Sequence, residues 1–505
     1  MTETFLEVNT DGMDRPNGVE NDLFTNRQAI ARMYRQGAAA EVSILVVGWN
    51  RLEKTKRCVE SVLRYTEGID YELILIDNGS EDGTLDYFRS VQCEKKRVIR
   101  ITQNLGAPYA YTTVSLRDLG DFICIAPNDL IVTENWMKNL LICMKSDPKI
   151  GMVTPMTSNS SNLQCLDFPY KTDEEMQAIA AQFNRSDPRK WEDRLRIITL
   201  GTVLRKEVFL ACGWPLSDVG YFHDFLDDDT AFAVRRLGYR TVVAGDTWIC
   251  HDHDVRGGEG KDPAQFQRSL AIGRQNFREK HFGVDAWDDV NNFLSPYLPD
   301  LPPLEITGMA RILGVDVRCG TPVLDVKNWL RKQGVFTAEL SAFTQDPKYW
   351  QDLMTICAGG VLCDREEFLS DAFPREYFDC VMADRPVNQY HEPQKLLNDL
   401  FALCKKGGLV ACKLHNTFAF QTYVHQLGQR DTYDPVFSYH LPVEAVREAL
   451  EQQGTILKTV AIPYALDEDG KRTLRSILPA GIPPETQEAL LGGMLCREYL
   501  FFVRK

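Results

Sequence analysis

The feature that most constrains this chain is a recurring unit in which a short run of β-branched and apolar residues stops at an acidic or amide-bearing turn. Leu73 to Ile76 runs into Asp77-Asn78-Gly79-Ser80, and Phe122 to Ile125 runs into Ala126-Pro127-Asn128-Asp129. Runs of this kind predict buried strands, and the amphipathic stretches between them, such as KTKRCVESVLRYT, predict helices. Strands alternating with helices make βαβ units and a mainly parallel sheet. Ligands of such sheets bind beyond the carboxyl ends of the strands, which is where the polar turns fall.

The alternation extends from Val42 to about Phe282 through SILVVGW, ELILID, VIRIT and DFICIA. Ahead of it lies a polar opening and a predicted helix from about Leu23 to Gln36. The stretch from Ser295 to Pro303 carries four prolines in nine residues, too many for a helix or an inner strand. A second alternating series follows, with ARILGVDV, VFTAEL, YFDCVMAD and LVACKL. The 505 residues thus divide into an extension (1–40), an α/β domain (41–294), a Pro-rich linker (295–304) and a second α/β domain (305–505).

Charge narrows the function classes. A net charge of -14, with Lys95-Lys96-Arg97 the longest basic run, argues against nucleic acid as a partner and against an acidic membrane surface. Acidic clusters suit divalent cations instead. No stretch approaches the roughly 18 consecutive apolar residues of a membrane span, so no integral membrane segment is expected. The opening residues lack the segments of a signal peptide. Fourteen cysteines without a CxxC pair fit buried thiols in a reducing compartment rather than zinc ligands. A cytoplasmic location is the expectation.

Residues 41 to about 285 resemble the inverting family 2 glycosyltransferases of the GT-A fold, on several motifs in the family's order. SILVVGWNR is similar to the first strand and its nucleotide-contacting turn, making Asn50 a donor contact. LILIDNGSEDGT resembles the second strand, where the family's Asp bonds the nucleobase, a role that falls to Asp77. A carboxylate can accept from the N–H of a uracil-type imide. QNLGAP resembles the family's Asn-x-Gly loop, adding Asn104 and Gly106. IAPNDLIVTENW resembles the metal-binding strand end, with Pro127 in place of the first carboxylate, Asp129 left as direct ligand and Asn128 supporting bound water. The resemblance implies Mg²⁺ or Mn²⁺, both of which favour oxygen ligands. DFLDDDTAFAVRRLGYRTVVAGDTWICHDHD resembles the acidic motif, its helix and the final strand. Its general base falls among Asp227, Asp228 and Asp229, with Asp228 favoured because adjacent carboxylates raise one another's pKa. His251 matches the position that completes the metal site, with His253 as the fallback. Taken alone, the acidic run could equally favour a helix N-terminus, and Asn128-Asp129 could cap a turn. The implied reaction is a single displacement with inversion, from a nucleoside diphosphate sugar to a polysaccharide or protein acceptor.

Residues from about Arg311 to Thr417 resemble a class I S-adenosylmethionine-dependent methyltransferase of the Rossmann type. VDVRCGTP stands where that family has an acidic residue and Gly-x-Gly-x-Gly, offering Asp316 and Gly320. Glu339 takes the acidic ribose position and Asp364 follows VLC. Arg318 and Pro322 replace two of the three glycines, which argues against S-adenosylmethionine binding and for a structural or acceptor-docking domain. Two rival readings remain: a bifunctional enzyme that transfers and methylates a sugar, and a non-catalytic carbohydrate-binding scaffold.

Overall fold

The computed structural model describes residues 4–12, 40–114, 119–212, 218, 221, 224–253, 263–420, 439–464, 466–476, 478 and 481–505. The helix expected near Leu23 to Gln36 lies outside them. The chain separates into two compact units, Met1–Asn291 and Asn292–Lys505.

The first unit is built on one sheet whose strands are β1 (Thr4–Val8), β2 (Val42–Gly48), β3 (Tyr71–Asn78), β4 (Lys96–Ile101), β5 (Phe122–Pro127), β6 (Leu130–Ile131), β7 (Ile150–Thr157), β8 (Trp191–Asp193), β9 (Thr202–Arg205) and β10 (Arg240–His251). Their order is β1-β4-β3-β2-β5-β9-β7-β10-β6, with β8 beside β10. From β1 to β5 all pairings are parallel, as the alternating sequence predicts. β2 is buried almost throughout, because helices cover both faces of the sheet and leave no side for a polar residue. One of them, α1 (Leu52–Tyr65), turns Cys58, Val59 and Val62 inward at helical spacing. Also on this sheet are α2 (Thr84–Ser90), α3 (Ala107–Thr112) and α4 (Leu226–Arg236), and α5 (Pro263–Lys280) packs against α4 through Phe277 and Phe232.

Register decides where the polar turns meet. Gly48 lies opposite Asp77, and Val47 opposite Pro127, so β3 and β5 release their turns on either side of the Trp49-Asn50-Arg51 loop that leaves β2. The opening residues do more than extend the chain, since Thr4–Val8 add a parallel edge strand to β4.

In the second unit the strands are β11 (Ala310–Val315), β12 (Ala338–Thr344), β13 (Val361–Cys363), β14 (Phe378–Ala383), β15 (Cys404–His415), β16 (Thr455–Pro463) and β17 (Cys496–Arg504). They lie in the order β13-β12-β11-β14-β15-β17-β16. β11 to β15 pair in parallel, and β17 runs antiparallel to both β15 and β16. This is a doubly wound sheet of Rossmann type.

The Pro-rich stretch, expected as a linker, is packed into the second unit. The backbone N–H groups of Leu294 and Ser295 donate to Asp325 Oδ2 at 2.6 and 2.9 Å, and Leu298, Leu301 and Leu304 are buried. Lys458 Nζ donates to the Tyr297 carbonyl at 3.1 Å. Asp325 sits on α6 (Thr321–Lys332) and is buried. Replacing it leaves two backbone donors without their acceptor, so Asp325→Ala is expected to lower the stability of this unit by about 2 kcal/mol in urea unfolding. An unchanged midpoint would show that the stretch is not anchored there.

Candidate active site

The loops beyond β2, β3 and β4 are tied to one another by side chains predicted to touch a nucleotide. Asn50 takes a left-handed backbone (φ 55), its N–H donates to Ser80 Oγ at 2.9 Å, and its Oδ1 accepts from Glu81 N at 2.9 Å. Asn104 Oδ1 accepts from Gly106 N and Asn78 Nδ2, both at 3.0 Å. Asn128 Nδ2 donates to the Asn50 carbonyl at 3.2 Å and to Thr55 Oγ1 at 2.8 Å. These three amides therefore brace the loops. Asp77 differs: it is fully buried, its Oδ1 accepts from Ser80 N at 3.1 Å, and its Oδ2 has no partner. Burial pushes its carboxyl upward, opposed by Ser80. Such an oxygen can accept from a donor outside the chain.

Asp129 lies in the turn between β5 and β6. The short β6 pairs antiparallel with the end of β10, setting Leu130 opposite His251 and Ile131 opposite Cys250. Asp252 N donates to the Asp129 carbonyl at 2.8 Å, which continues that ladder. His251 Nε2 comes to 3.5 Å from Asp129 Oδ1, and His253 Nδ1 to 3.4 Å from Oδ2. One ligand atom from each of Asp129, His251 and His253 lies within 4.8 Å of the others. Both histidines named from sequence, the first choice and the fallback, thus reach the same carboxylate.

Three observations test whether these groups suit a cation. Asp129 Oδ1 is buried without a hydrogen-bond partner. His251 Nδ1 is 3.0 Å from the Asn159 carbonyl, which can only accept, so Nδ1 carries the proton. In the neutral ring Nε2 then turns a lone pair toward Asp129 Oδ1, an arrangement that a cation between them completes. Burial opposes ionisation of Asp129, but the charge and hydrogen bonds that His251 and His253 offer when protonated, in place of a cation, outweigh it and hold the carboxyl well below the usual range. The residues fit a divalent metal. The Ser/Asn-rich loop after β7 supports it, since Ser158 Oγ accepts from His251 N at 3.0 Å and Asn159 Nδ2 donates to the His251 carbonyl at 3.1 Å.

The acidic motif opens α4, and the helix fans its three carboxylates apart. Asp229 is fully buried, with Oδ1 at 2.9 Å from His281 Nε2 and Oδ2 at 2.9 Å from Lys280 Nζ. These partners outweigh burial and hold its carboxyl below the ordinary range. Asp228 is 3% exposed and bonded to Arg196 Nε. Burial pushes it up to about 6, with Arg196 opposing and Asp227 adding. Asp227 is half-buried, and its Oδ1 accepts from Thr199 N at 3.2 Å and from Thr199 Oγ1. Burial raises the phenol of Tyr111 on α3, and the nearby charge of Asp227 raises it further.

Sequence reasoning passed over Trp49 and Arg51. Trp49 is 51% exposed beside Asn50, and Arg51 Nη1 lies 3.8 Å from Asp129 Oδ2. Trp49 closes the predicted strand SILVVGW and Arg51 lies two residues beyond it, which was signal enough to single them out. Arg196 and Thr199 carried no such signal, because only the sheet brings them to the acidic helix.

In the second unit the predicted cofactor residues do not converge. Glu339 is corrected: β12 starts at Ala338, so Glu339 lies at the strand's amino end, opposite Arg311, and accepts from Tyr377 Oη at 3.3 Å. At the carboxyl end, where the ribose acid belongs, stands Gln345. Its N and Nε2 donate to Asp316 at 2.8 and 2.9 Å, and Tyr390 Oη donates to Asp316 Oδ2 at 2.8 Å. Arg318 occupies a left-handed position (φ 55) that glycine takes without strain, and its Nε lies 3.6 Å from Asp384 Oδ2. Gly320 (φ 105) packs under Ile356, whose Cδ1 would be 2.4 Å from an added Cβ, and Asp364 is exposed. These residues do not fit S-adenosylmethionine.

The family model described as glycosyl transferase family 2 matches residues 43–193. The chain carries a family 2 glycosyltransferase domain. Among curated proteins it is similar to the uncharacterized glycosyltransferase YfnE of Bacillus subtilis, 25% identical over 114 residues, covering 20% of this chain and 29% of that protein. It spans under a third of the length of the curated relatives it matches. Solved structures similar to it include the mannosyltransferase PcManGT from Pyrobaculum calidifontis in complex with GDP-Man and Mn²⁺ (16% identity, 52% of this chain and 78% of that one, TM-score 0.32). Another is a SAM-dependent methyltransferase from Archaeoglobus fulgidus (15% identity, 45% and 98%, TM-score 0.29). The second unit's strand order is that of a methyltransferase-like Rossmann sheet. No helix among the described residues is long and apolar enough to cross a membrane.

Two titrations check these sites. Mn²⁺ binding, followed by the loss of its free EPR signal, is expected for the native chain and weakened at least about tenfold by Asp129→Asn; equal binding would remove Asp129 from the metal site. Calorimetry with S-adenosylmethionine is expected to show no binding, and a stoichiometric isotherm would overturn the assignment of the second unit.

Proposed function

We propose that the first unit is a metal-assisted, inverting glycosyltransferase that moves a sugar from a nucleoside diphosphate donor to a hydroxyl of a glycan or protein. The observation that carries this is a pair of buried carboxylates, Asp77 and Asp129, on turns flanking the β2 loop, each with one oxygen that no protein group satisfies. One suits a nucleobase N–H and the other a cation. The matched family segment contains both.

Asp129, His251 and His253 would hold the metal. Two imidazoles and one carboxylate suit Mn²⁺ better than Mg²⁺, which prefers an all-oxygen shell. Once bound, such an ion supplies neutralising charge for a diphosphate leaving group. Arg51, next to Asp129, adds a fixed positive charge on the same side, and Trp49 offers an exposed ring face to a base or sugar.

For the general base we assign Asp227 rather than Asp228. A base must come within hydrogen-bond reach of the acceptor hydroxyl. The burial that raises Asp228 toward a useful pKa also closes it to an acceptor, and Arg196 holds its carboxylate. Asp227 is half-open and fixed by Thr199. Its carboxylate takes the proton as the acceptor oxygen bonds to the anomeric carbon. The bond from that carbon to the diphosphate oxygen breaks on the opposite face, so configuration inverts. Asp228 and Asp229 support the helix end.

The test is release of nucleoside diphosphate from a panel of nucleotide sugars with Mn²⁺. Asp227→Asn is expected to cut turnover by about 10²- to 10⁴-fold with nucleotide affinity intact. Loss of turnover in Asp228→Asn with Asp227→Asn active would return the base to Asp228; glycan binding without turnover on any donor would favour a scaffold.

A further inference from the structure

The amino-terminal strand ends against the loop that backs the nucleotide turn. β1 pairs with β4 from Thr4 opposite Arg97 to Val8 opposite Ile101. Beyond the strands the contact continues through side chains. Thr102 N donates to the Val8 carbonyl at 3.2 Å, Thr10 N donates to Thr102 Oγ1 at 2.9 Å, and Gln103 N donates to Thr10 Oγ1 at 3.0 Å. Thr10 is 1% exposed, so its hydroxyl is a buried acceptor for a backbone donor in the β4–α3 loop.

That loop has little freedom to move without moving the nucleotide turn. Gly79 (φ 81) lies so close that an added Cβ would be 2.8 Å from Asn104 N and 2.9 Å from the Gln103 carbonyl carbon. Asn104 is bonded in turn to Asn78, the neighbour of Asp77. A continuous path of close contacts therefore runs from Thr10 through Gln103 and Asn104 to Asn78, Gly79 and the buried carboxylate with the orphaned oxygen.

We infer that Thr10 is a positioning residue for the donor site: its hydroxyl holds the Gln103-Asn104 loop against the Gly79 turn and thereby sets Asp77 for the nucleotide. This rests on the nucleotide-sugar function proposed above. The amino-terminal strand, 93 residues away in sequence from the loop it holds, is then a working part of the donor site rather than an appendage.

The experiment compares the full chain with Thr10→Val, which keeps the shape and removes the acceptor, and with Thr10→Ser, which restores it. UDP and GDP are titrated by calorimetry in Mn²⁺, Mn²⁺ is titrated alone, and melting temperatures are recorded. Thr10→Val is expected to weaken binding of the nucleotide that the native chain takes by about tenfold, the scale of one lost buried hydrogen bond. Mn²⁺ binding alone is expected to be unchanged, and Thr10→Ser to recover the nucleotide affinity. Native-like nucleotide affinity in Thr10→Val overturns the inference alone. So does a loss shared with Mn²⁺ binding and melting temperature, or a failure of serine to restore affinity, since each marks a general structural role. A native chain that binds neither nucleotide overturns the donor-site function and this inference with it.

Discussion

The candidate metal site depends on where one strand changes partner. β10 runs parallel to β7 from Arg240 to Ala244, loses register, resumes with Trp248 opposite Met156, and finishes antiparallel to β6 with His251 opposite Leu130. The skipped residues carry their own support. Asp246 is fully buried and accepts from Asp187 N and Trp191 Nε1, both at 2.7 Å, while Gly245 passes so near the Lys190 carbonyl that a Cβ would be 2.6 Å from its oxygen. Side chains alternate faces along a strand, so a slip of one residue would turn His251 away from Asp129. The irregularity after Ala244 sets the phase of the strand's last turn, as bulges beside functional sites commonly do. A second layer then fixes what that phase delivers. Arg57 Nη1 donates to Asp252 Oδ2 at 2.7 Å and Lys54 Nζ to the Asp252 carbonyl, so α1 holds the residue between the two histidines.

Much of this was legible in the sequence. Strand ends are marked by composition, and polar residues at strand ends gather at one edge of a parallel sheet; that logic singled out Asp77 and Asp129 as candidates, and the family resemblance added His251. It was silent where the outcome depends on pairing between distant segments. Asn50, Asn104 and Asn128 each also use one end of the amide to brace a neighbouring loop, a use visible only once the register of β2 against β3 and β5 is known. Glu339 failed for a simpler reason: its strand begins later than the apolar pattern suggested, and a shift of a few residues moved it from one end of the sheet to the other. Thr4–Val8 carried no turn or helix partner to announce a strand, because an edge strand is defined by the neighbour it joins.

The two units show how far fold and chemistry can part. Both are wound α/β sheets whose strands end in polar turns, but the first leaves one oxygen of Asp77 and of Asp129 without a protein partner there, whereas the second ties up the carboxylates at its strand ends. Asp316 accepts from Gln345 and Tyr390, and Asp384 is paired with Lys413 and with Asn292 Nδ2 at 2.8 Å. A bonded network of this kind rigidifies a sheet edge. The sheet persists because its packing does not depend on the cofactor, and fold alone therefore says little about activity.

The same distinction separates the three aspartates of α4. Neighbours on a helix point about 100° apart, so Asp227, Asp228 and Asp229 meet three environments despite their identical chemistry. Asp229 is neutralised by Lys280 and hydrogen-bonded by His281, whose Nδ1 is in turn 2.6 Å from Arg236, a cluster that ties α4 to α5. Asp228 is ion-paired to Arg196, which lies over the ring of Trp287 with the ring of Phe225 stacked against it. These two carboxylates are committed to protein partners before any substrate arrives. Asp227, one position earlier, is the member of the run turned to the half-open side. Under the function proposed above, the raised pKa marks a buried carboxylate rather than the base: desolvation lifts Asp228, whereas a base that works on an acceptor has to sit where solvent, and therefore substrate, can come.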